Sequence, residues 1–150
     1  MQKLNLPDCD LRIKSEEGNQ FVFDIIRKKY LVLTPEEWVR QHFVHLMINH
    51  LKYPKSLISV ENGLKYFKNQ KRSDIVLKNR QGGNFLLIEC KAPDVKLGRN
   101  TLTQISQYNK QLQAAYIAMT NGLQHYIWEY QAKLGSYTQL KEFPTFPTKS

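Results

Sequence analysis

An α/β fold, with a mixed central sheet and helices on its faces, is what this 150-residue sequence predicts from three observations. Two stretches, 34–51 and 101–114, carry apolar residues at helical spacing. Two apolar runs, 74–78 and 84–91, are joined through the turn signal Gln81-Gly82-Gly83. Two further short apolar runs follow the second helix. Helix, strand hairpin, helix and strand, in that order, bury their apolar sides best as helices layered on a sheet.

Each element has its own local reason. Leu11 to Lys14 and Phe21 to Ile26 alternate partly around Glu17-Gly18-Asn19 and predict an N-terminal hairpin, which Tyr30 to Leu33 extends. Thr34-Pro35-Glu36-Glu37 is a helix start, with Thr as N-cap, Pro at the first helical position and Glu at the third. The helix carries an apolar stripe of Val39, Phe43, Leu46, Met47 and Leu51, and Tyr53-Pro54 stops it. Leu57 to Val60 predicts a strand, followed by a basic loop. Asp74 to Lys78 and Asn84 to Lys91 predict a strand pair that Pro93 ends. Thr101 to Ala114 predicts a helix with Leu102, Ile105, Tyr108 and Leu112 inward. Ala115 to Met119 and His125 to Tyr130 predict two strands around Asn121-Gly122, and the tail from Phe143 is irregular. The whole reads as one domain: a hairpin region 1–33, a core 34–130 and a C-terminal extension 131–150.

Composition narrows the class. With 41% hydrophobic and 11% aromatic residues the chain is globular rather than disordered. No apolar run approaches the roughly 20 residues of a membrane helix. The opening Met1-Gln2-Lys3-Leu4-Asn5 has no signal-peptide apolar core, so cytoplasmic residence is the expectation. Cys9 and Cys90 make neither a disulfide framework nor a zinc site. The net charge of +9 favours an anionic partner through attraction to phosphates and release of their counterions, although scattered solubilising lysines would give the same total. The distribution tilts toward phosphate tracking. Lys65, Lys68, Lys71 and Arg72 crowd before Asp74, and Lys96 and Arg99 follow the run ending at Lys91.

The chemistry lies between those two basic clusters. Asp74 opens one apolar run, and Glu89-Cys90-Lys91 closes the next. Phosphodiester hydrolysis needs hard oxygen ligands for a divalent cation and a positive group near the attacking water or the scissile phosphate. Asp74 and Glu89 can supply the first, Lys91 the second. Alternation along a strand puts Glu89 and Lys91 on one face and Cys90 on the other. Each residue also has a plainer reading: Asp74 as a solvated loop carboxylate, Glu89 and Lys91 as a salt bridge, Cys90 as a small core residue.

This constellation resembles the PD-(D/E)xK nuclease superfamily, and residues 34–126 resemble more closely the N-terminal nuclease domain of type I restriction enzyme R subunits. The matching pieces are Thr34 to Gln41, Arg72-Ser73-Asp74-Ile75-Val76, Leu87-Ile88-Glu89-Cys90-Lys91-Ala92-Pro93, the Q-x-x-x-Y motif Gln104 to Tyr108, and Thr120-Asn121-Gly122. The resemblance implies a restriction-endonuclease-like sheet and hydrolysis of DNA, with Mg²⁺ or Mn²⁺ held by Asp74, Glu89 and the Cys90 backbone carbonyl. It makes Lys91 catalytic, adds Glu37 as a further carboxylate, and makes Gln104 and Tyr108 positioning groups for DNA or for the lysine. Glu37 at the third helical position is equally explained as a cap, and Gln104 and Tyr108 as ordinary amphipathic polarity. His42, His45, His50 and His125 are read as structural or surface residues.

Two departures matter. Ser73 stands where the motif has proline, which leaves the carboxylate in place. No Gly-x-x-x-x-Gly-Lys-Ser/Thr segment is present, so ATP-driven translocation is expected from a separate helicase or translocase, alongside a modification subunit, or not at all. Besides a DNA-cleaving nuclease, the sequence leaves open a catalytically silent DNA-binding or assembly module, and an RNA-processing nuclease.

Overall fold

The computed structural model describes residues 1–62 and 73–147, the side chains of Glu61, Asn62 and Ser73 excepted. Its N-terminal part is a three-stranded antiparallel sheet, β1 (Ile13–Glu16), β2 (Asn19–Asp24) and β3 (Lys29–Val32), as the alternation predicts. Helix α1 (Pro35–Asn49) follows. The Thr34 hydroxyl accepts from the Glu37 N–H at 3.0 Å, the capping bond expected from this start. A short 3₁₀ turn at Lys55–Leu57 leads into β4 (Ile58–Asn62).

The remaining strands are β5 (Ser73–Lys78), β6 (Asn84–Cys90), β7 (Tyr116–Thr120), β8 (His125–Gln131) and β9 (Ser136–Leu140). They form a six-stranded sheet in chain order with β4, and every pair is antiparallel except β6 with β7. A parallel pair needs a crossover, and α2 (Arg99–Leu112) supplies it. Strand β9 is not foreseen in the sequence. Ser-Tyr-Thr-Gln-Leu carries little apolar signal, and as an edge strand it stays largely exposed. Past it, Phe146 packs into the core, and the Tyr53 hydroxyl donates to Pro144 O at 2.7 Å.

Two cores lie on the two faces of the sheet. Val39, Phe43, Val44 and Met47 of α1 pack on Ile75, Leu77, Leu86, Ile88 and Cys90. Ile105 and Tyr108 of α2 pack on Val76, Leu87, Ile117, Met119 and Trp128. Strand β6 is therefore buried on both sides, which is why it reads as a continuous apolar run. No helix among the described residues is long and apolar enough to cross a membrane.

The turn between β7 and β8 ties three parts of the chain together. Asn121 Oδ1 accepts from the Leu123 and Gln124 N–H groups, and its amide donates to Val95 O in the segment after Lys91. His125 Nε2 donates to Asn5 O, which leaves Nδ1 to accept from the Thr120 hydroxyl at 2.7 Å. Burial holds His125 below the ordinary histidine range, in keeping with that neutral tautomer. Gly122 has φ +86°, and a Cβ there would meet Leu4 Cδ2 at 2.7 Å and Val39 Cγ2 at 3.1 Å. Backbone strain and overpacking therefore add at this one position. Gly122→Ala is expected to cost about 2–4 kcal/mol, read as a lower urea midpoint at unchanged slope.

Candidate active site

Strands β5 and β6 pair with Ile75 across from Ile88 and Val76 across from Leu87. One residue further in the same register, Asp74 stands across from Glu89. Opposed residues share a face, with Cβ atoms about 4.5–5.5 Å apart. Because they alternate with Ile75 and Ile88, which belong to the α1 side, Asp74 and Glu89 belong to the α2 side. Both are buried, Asp74 1% and Glu89 2% exposed. Lys91 sends Nζ to 3.2 Å from Glu89 Oε1, with its side chain 23% exposed. The three residues expected from the sequence are thus brought together, with the Lys91 side chain partly exposed.

The row extends across the sheet. The backbone of Glu61 in β4 pairs with Asp74, a register position that nothing in the sequence spacing singles out. On the other side, Glu89 pairs with Met119, and Met119 with Tyr126. The site therefore passes from carboxylates on β5 and β6 to a thioether and an aromatic ring on β7 and β8.

Cys90 points to the opposite side and is a buried core residue there. Burial pushes its thiol up to about 12, with Arg40 opposing and Asp74, Glu36 and Glu37 reinforcing. Glu37 approaches from α1 and is heavily engaged. It accepts from Arg27 Nη2 at 3.0 and 3.1 Å, from Arg40 Nη1 at 2.8 Å and from Gln41 Nε2 at 2.9 Å. Arg27 Nε also donates to Asp24 Oδ2. Burial raises the Asp24 carboxyl, but the Arg27 backbone N–H and guanidinium outweigh it and leave the group below the usual carboxylate range. Asp24, Arg27, Glu37 and Arg40 form a buried chain that fastens the N-terminal sheet to α1.

On α2, Tyr108 is buried in the second core and Gln104, one turn earlier, is half-buried. Lys96 and Arg99 are exposed around the start of α2. Lys65, Lys68, Lys71 and Arg72 lie outside the described residues. His42 donates from Nδ1 to Trp38 O, and His50 is exposed. A groove of about 720 Å³ lies at the other end of β6, lined by Asn84, Asn109 and Tyr137. Its amides are committed, Asn84 to Leu112 O and Asn109 to Ala114 and the Tyr137 hydroxyl.

Among the described residues, no group of three or more His, Cys, Asp or Glu side chains could hold a metal ion. The set in hand is two opposed carboxylates, hard oxygen donors whose like charges repel across the strands. That set fits a cation of the Mg²⁺ type, which takes one or two carboxylates and completes its shell with water and substrate phosphates. It does not fit a closed all-protein cage.

A mixed sheet carrying an acidic pair and a lysine at the ends of its central strands defines a restriction-endonuclease-like domain. The chain matches the family described as type I restriction enzyme R protein N terminus over residues 35–144, and it belongs to that family. It is a nuclease-like domain of the restriction-system type. No curated protein and no solved structure matches it.

The Glu37 network yields a stability prediction. Glu37→Ala leaves Arg40, 2% exposed, and Arg27 without their shared carboxylate. Arg27 keeps Asp24 and Arg40 keeps Glu36, so the loss is expected to fall below the roughly 3–5 kcal/mol of a buried charge left uncompensated. The variant should unfold at correspondingly lower urea. A variant as stable as the wild type would mean that the network contributes nothing.

Proposed function

We propose that this chain is a divalent-metal-dependent nuclease domain that hydrolyses DNA phosphodiester bonds inside the cell, as part of a restriction system in which it works with motor or modification functions. The observation that carries this reading is the shared face of Asp74 and Glu89 with Lys91 beside them, in a chain of +9 net charge.

In this reading Asp74, Glu89 and the Cys90 carbonyl would hold Mg²⁺ or Mn²⁺. A cation bound there would lower the pKa of attacking water and neutralise phosphate charge. Lys91 acts from the edge of the pair. Its ammonium is held beside Glu89, and from there it would donate to a non-bridging phosphate oxygen as negative charge develops. The water oxygen then bonds to phosphorus as the bond to the leaving oxygen breaks. Lys96 and Arg99 hold neighbouring phosphates, together with Lys65, Lys68, Lys71 and Arg72. Gln104 orients the strand or the lysine, and Tyr108 holds α2 against the sheet from within the core. Glu37 acts as a positioning group: its carboxylate is taken up by Arg27, Arg40 and Gln41, and it sets α1 behind Cys90.

The test is cleavage of supercoiled plasmid, linear duplex, single-stranded DNA and RNA by the full chain in Mg²⁺, Mn²⁺ or EDTA. The wild type is expected to cut DNA in either metal and not in EDTA. Lys91→Met should fold and bind DNA but cut about 10²–10³ times more slowly, the usual loss for one preorganised electrostatic contact. Asp74→Asn should abolish cutting while keeping or improving affinity, because a negative charge near phosphate is removed. Wild-type rates from a folded Lys91→Met protein would overturn the mechanism. Binding without cutting by the wild type in every metal would favour a silent assembly module, and preferential cutting of RNA an RNA-processing nuclease.

A further inference from the structure

A groove of about 340 Å³ opens beside the candidate site, lined by Arg99, Leu102, Met119, Tyr126, Trp128 and Gln139. Three features point to what it takes. The first is continuity with the acidic pair. Met119 is the β7 partner of Glu89, and Tyr126 is the β8 partner of Met119, so the groove is the next part of the same row. Met119, Tyr126 and Trp128 belong with the α2-side core, the face that carries Asp74 and Glu89. Strands lie about 4.8 Å apart, so Tyr126 stands roughly 10 Å from Glu89, a distance one nucleotide spans from its phosphate to its base.

The second feature is the lining itself. Tyr126 is half-buried and is the ring open to the groove; the buried Trp128 supports it from the core side, 6.1 Å away at an interplanar angle of 34°. Bases stack on such side chains whatever their identity, because every base has a π face. The third is charge. Among the described residues no acidic side chain lines the groove, and the exposed Arg99 is part of its lining, suited to a phosphate. The volume is at the low end of small-ligand sites, which run from about 300 to 1,000 Å³. It suits one nucleoside and is too small for a base pair. A base inside an intact duplex cannot reach it without leaving the stack.

We propose that this groove is a subsite for one unpaired nucleotide next to the scissile phosphate, so that the domain prefers strands with at least one unstacked base at the cut over uninterrupted duplex. The proposal rests on the nuclease reading above for the place of the scissile phosphate.

The test uses the full chain with a single-stranded oligonucleotide carrying one 2-aminopurine, and the same sequence as duplex, in Ca²⁺ without Mg²⁺. Wild type should bind the single strand more tightly than the duplex and change the 2-aminopurine emission through stacking. Tyr126→Leu should lose roughly 5- to 100-fold in single-strand affinity, the range expected for one base stacked on an aromatic ring, with duplex affinity unchanged. Tyr126→Phe should restore the loss. Wild-type single-strand affinity in a Tyr126→Leu protein that melts normally would overturn the subsite. If Tyr126→Leu fails to fold, the wild-type emission decides alone, and no change on binding overturns it. A parallel cleavage assay in Mg²⁺ separates the two readings. Stacking without cutting removes the nuclease and leaves the subsite, whereas cutting without stacking does the reverse. Binding to neither oligonucleotide overturns the subsite, and cleavage in Mg²⁺ then decides the nuclease by itself.

Discussion

The antiparallel register of β5 on β6 is the constraint on which the candidate site depends, because side chains in a strand alternate faces with a period of 2. With Ile75 across from Ile88, Asp74 and Glu89 share the α2 side, while Ile75, Leu77, Leu86 and Ile88 fill the core under α1. A slip of one residue would turn the carboxylate of one strand into that apolar core and bring apolar side chains out in its place. The hairpin turn sets Lys78 across from Asn84, and a register shift between Leu77 and Lys78 then brings Leu77 across from Leu86. Asn79 Oδ1 accepts from the Gln81 and Gly83 N–H groups, and the Asn79 N–H donates to Gly83 O at 2.9 Å. Gly82 takes a left-handed φ of +90° that ordinary residues avoid. The polar turn and the irregularity after Leu77 thus decide together which groups meet at the acidic end.

The same economy governs the other side of the sheet. Helix α1 buries charged residues as well as apolar ones, since Glu37, Arg40 and Gln41 are enclosed between it, the N-terminal sheet and the end of β6. Buried charges are tolerated when paired and hydrogen-bonded. Arg27 meets both Asp24 and Glu37, and Arg40 meets both Glu36 and Glu37. The N-terminal strands are therefore fastened by directional ion pairs. Pairs of that kind fix a relative orientation more sharply than an apolar contact of equal area does.

Much of this was legible in the sequence. The two helices, the hairpin around Gln81-Gly82-Gly83 and the central strands follow from apolar periodicity and from turn and cap chemistry that act over a few residues. The shared side of Glu89 and Lys91 follows from strand alternation alone. What escaped is what depends on pairing between distant segments. Strand β9 is polar and gains its identity from β8 beside it. The position of Glu61 across from Asp74 exists only once β4 is laid against β5. Glu37 illustrates a different limit. Its spacing from Thr34 marks a cap, which the structure contains, but Arg27 reaches it only because the first sheet folds back over α1. The basic run before Asp74 is visible in sequence and falls outside the described residues.

Strand order explains why an aromatic groove adjoins an acidic pair. The crossover through α2 makes β7 parallel to β6, so that Glu89 and Met119 come to the C-terminal ends of neighbouring strands just where the chain leaves for α2. In open α/β sheets, ligand-binding crevices form at such ends, because the connecting loops splay apart there. Here Asn121 donates to Val95 O on one side and α2 begins at Arg99 on the other, so Leu97 to Arg99 form one wall of the groove and Met119 and Tyr126 the other. A site that handled a phosphate alone would need only the acidic pair and its lysine. The aromatic continuation of the row offers contact surface that only the rest of the nucleotide would use.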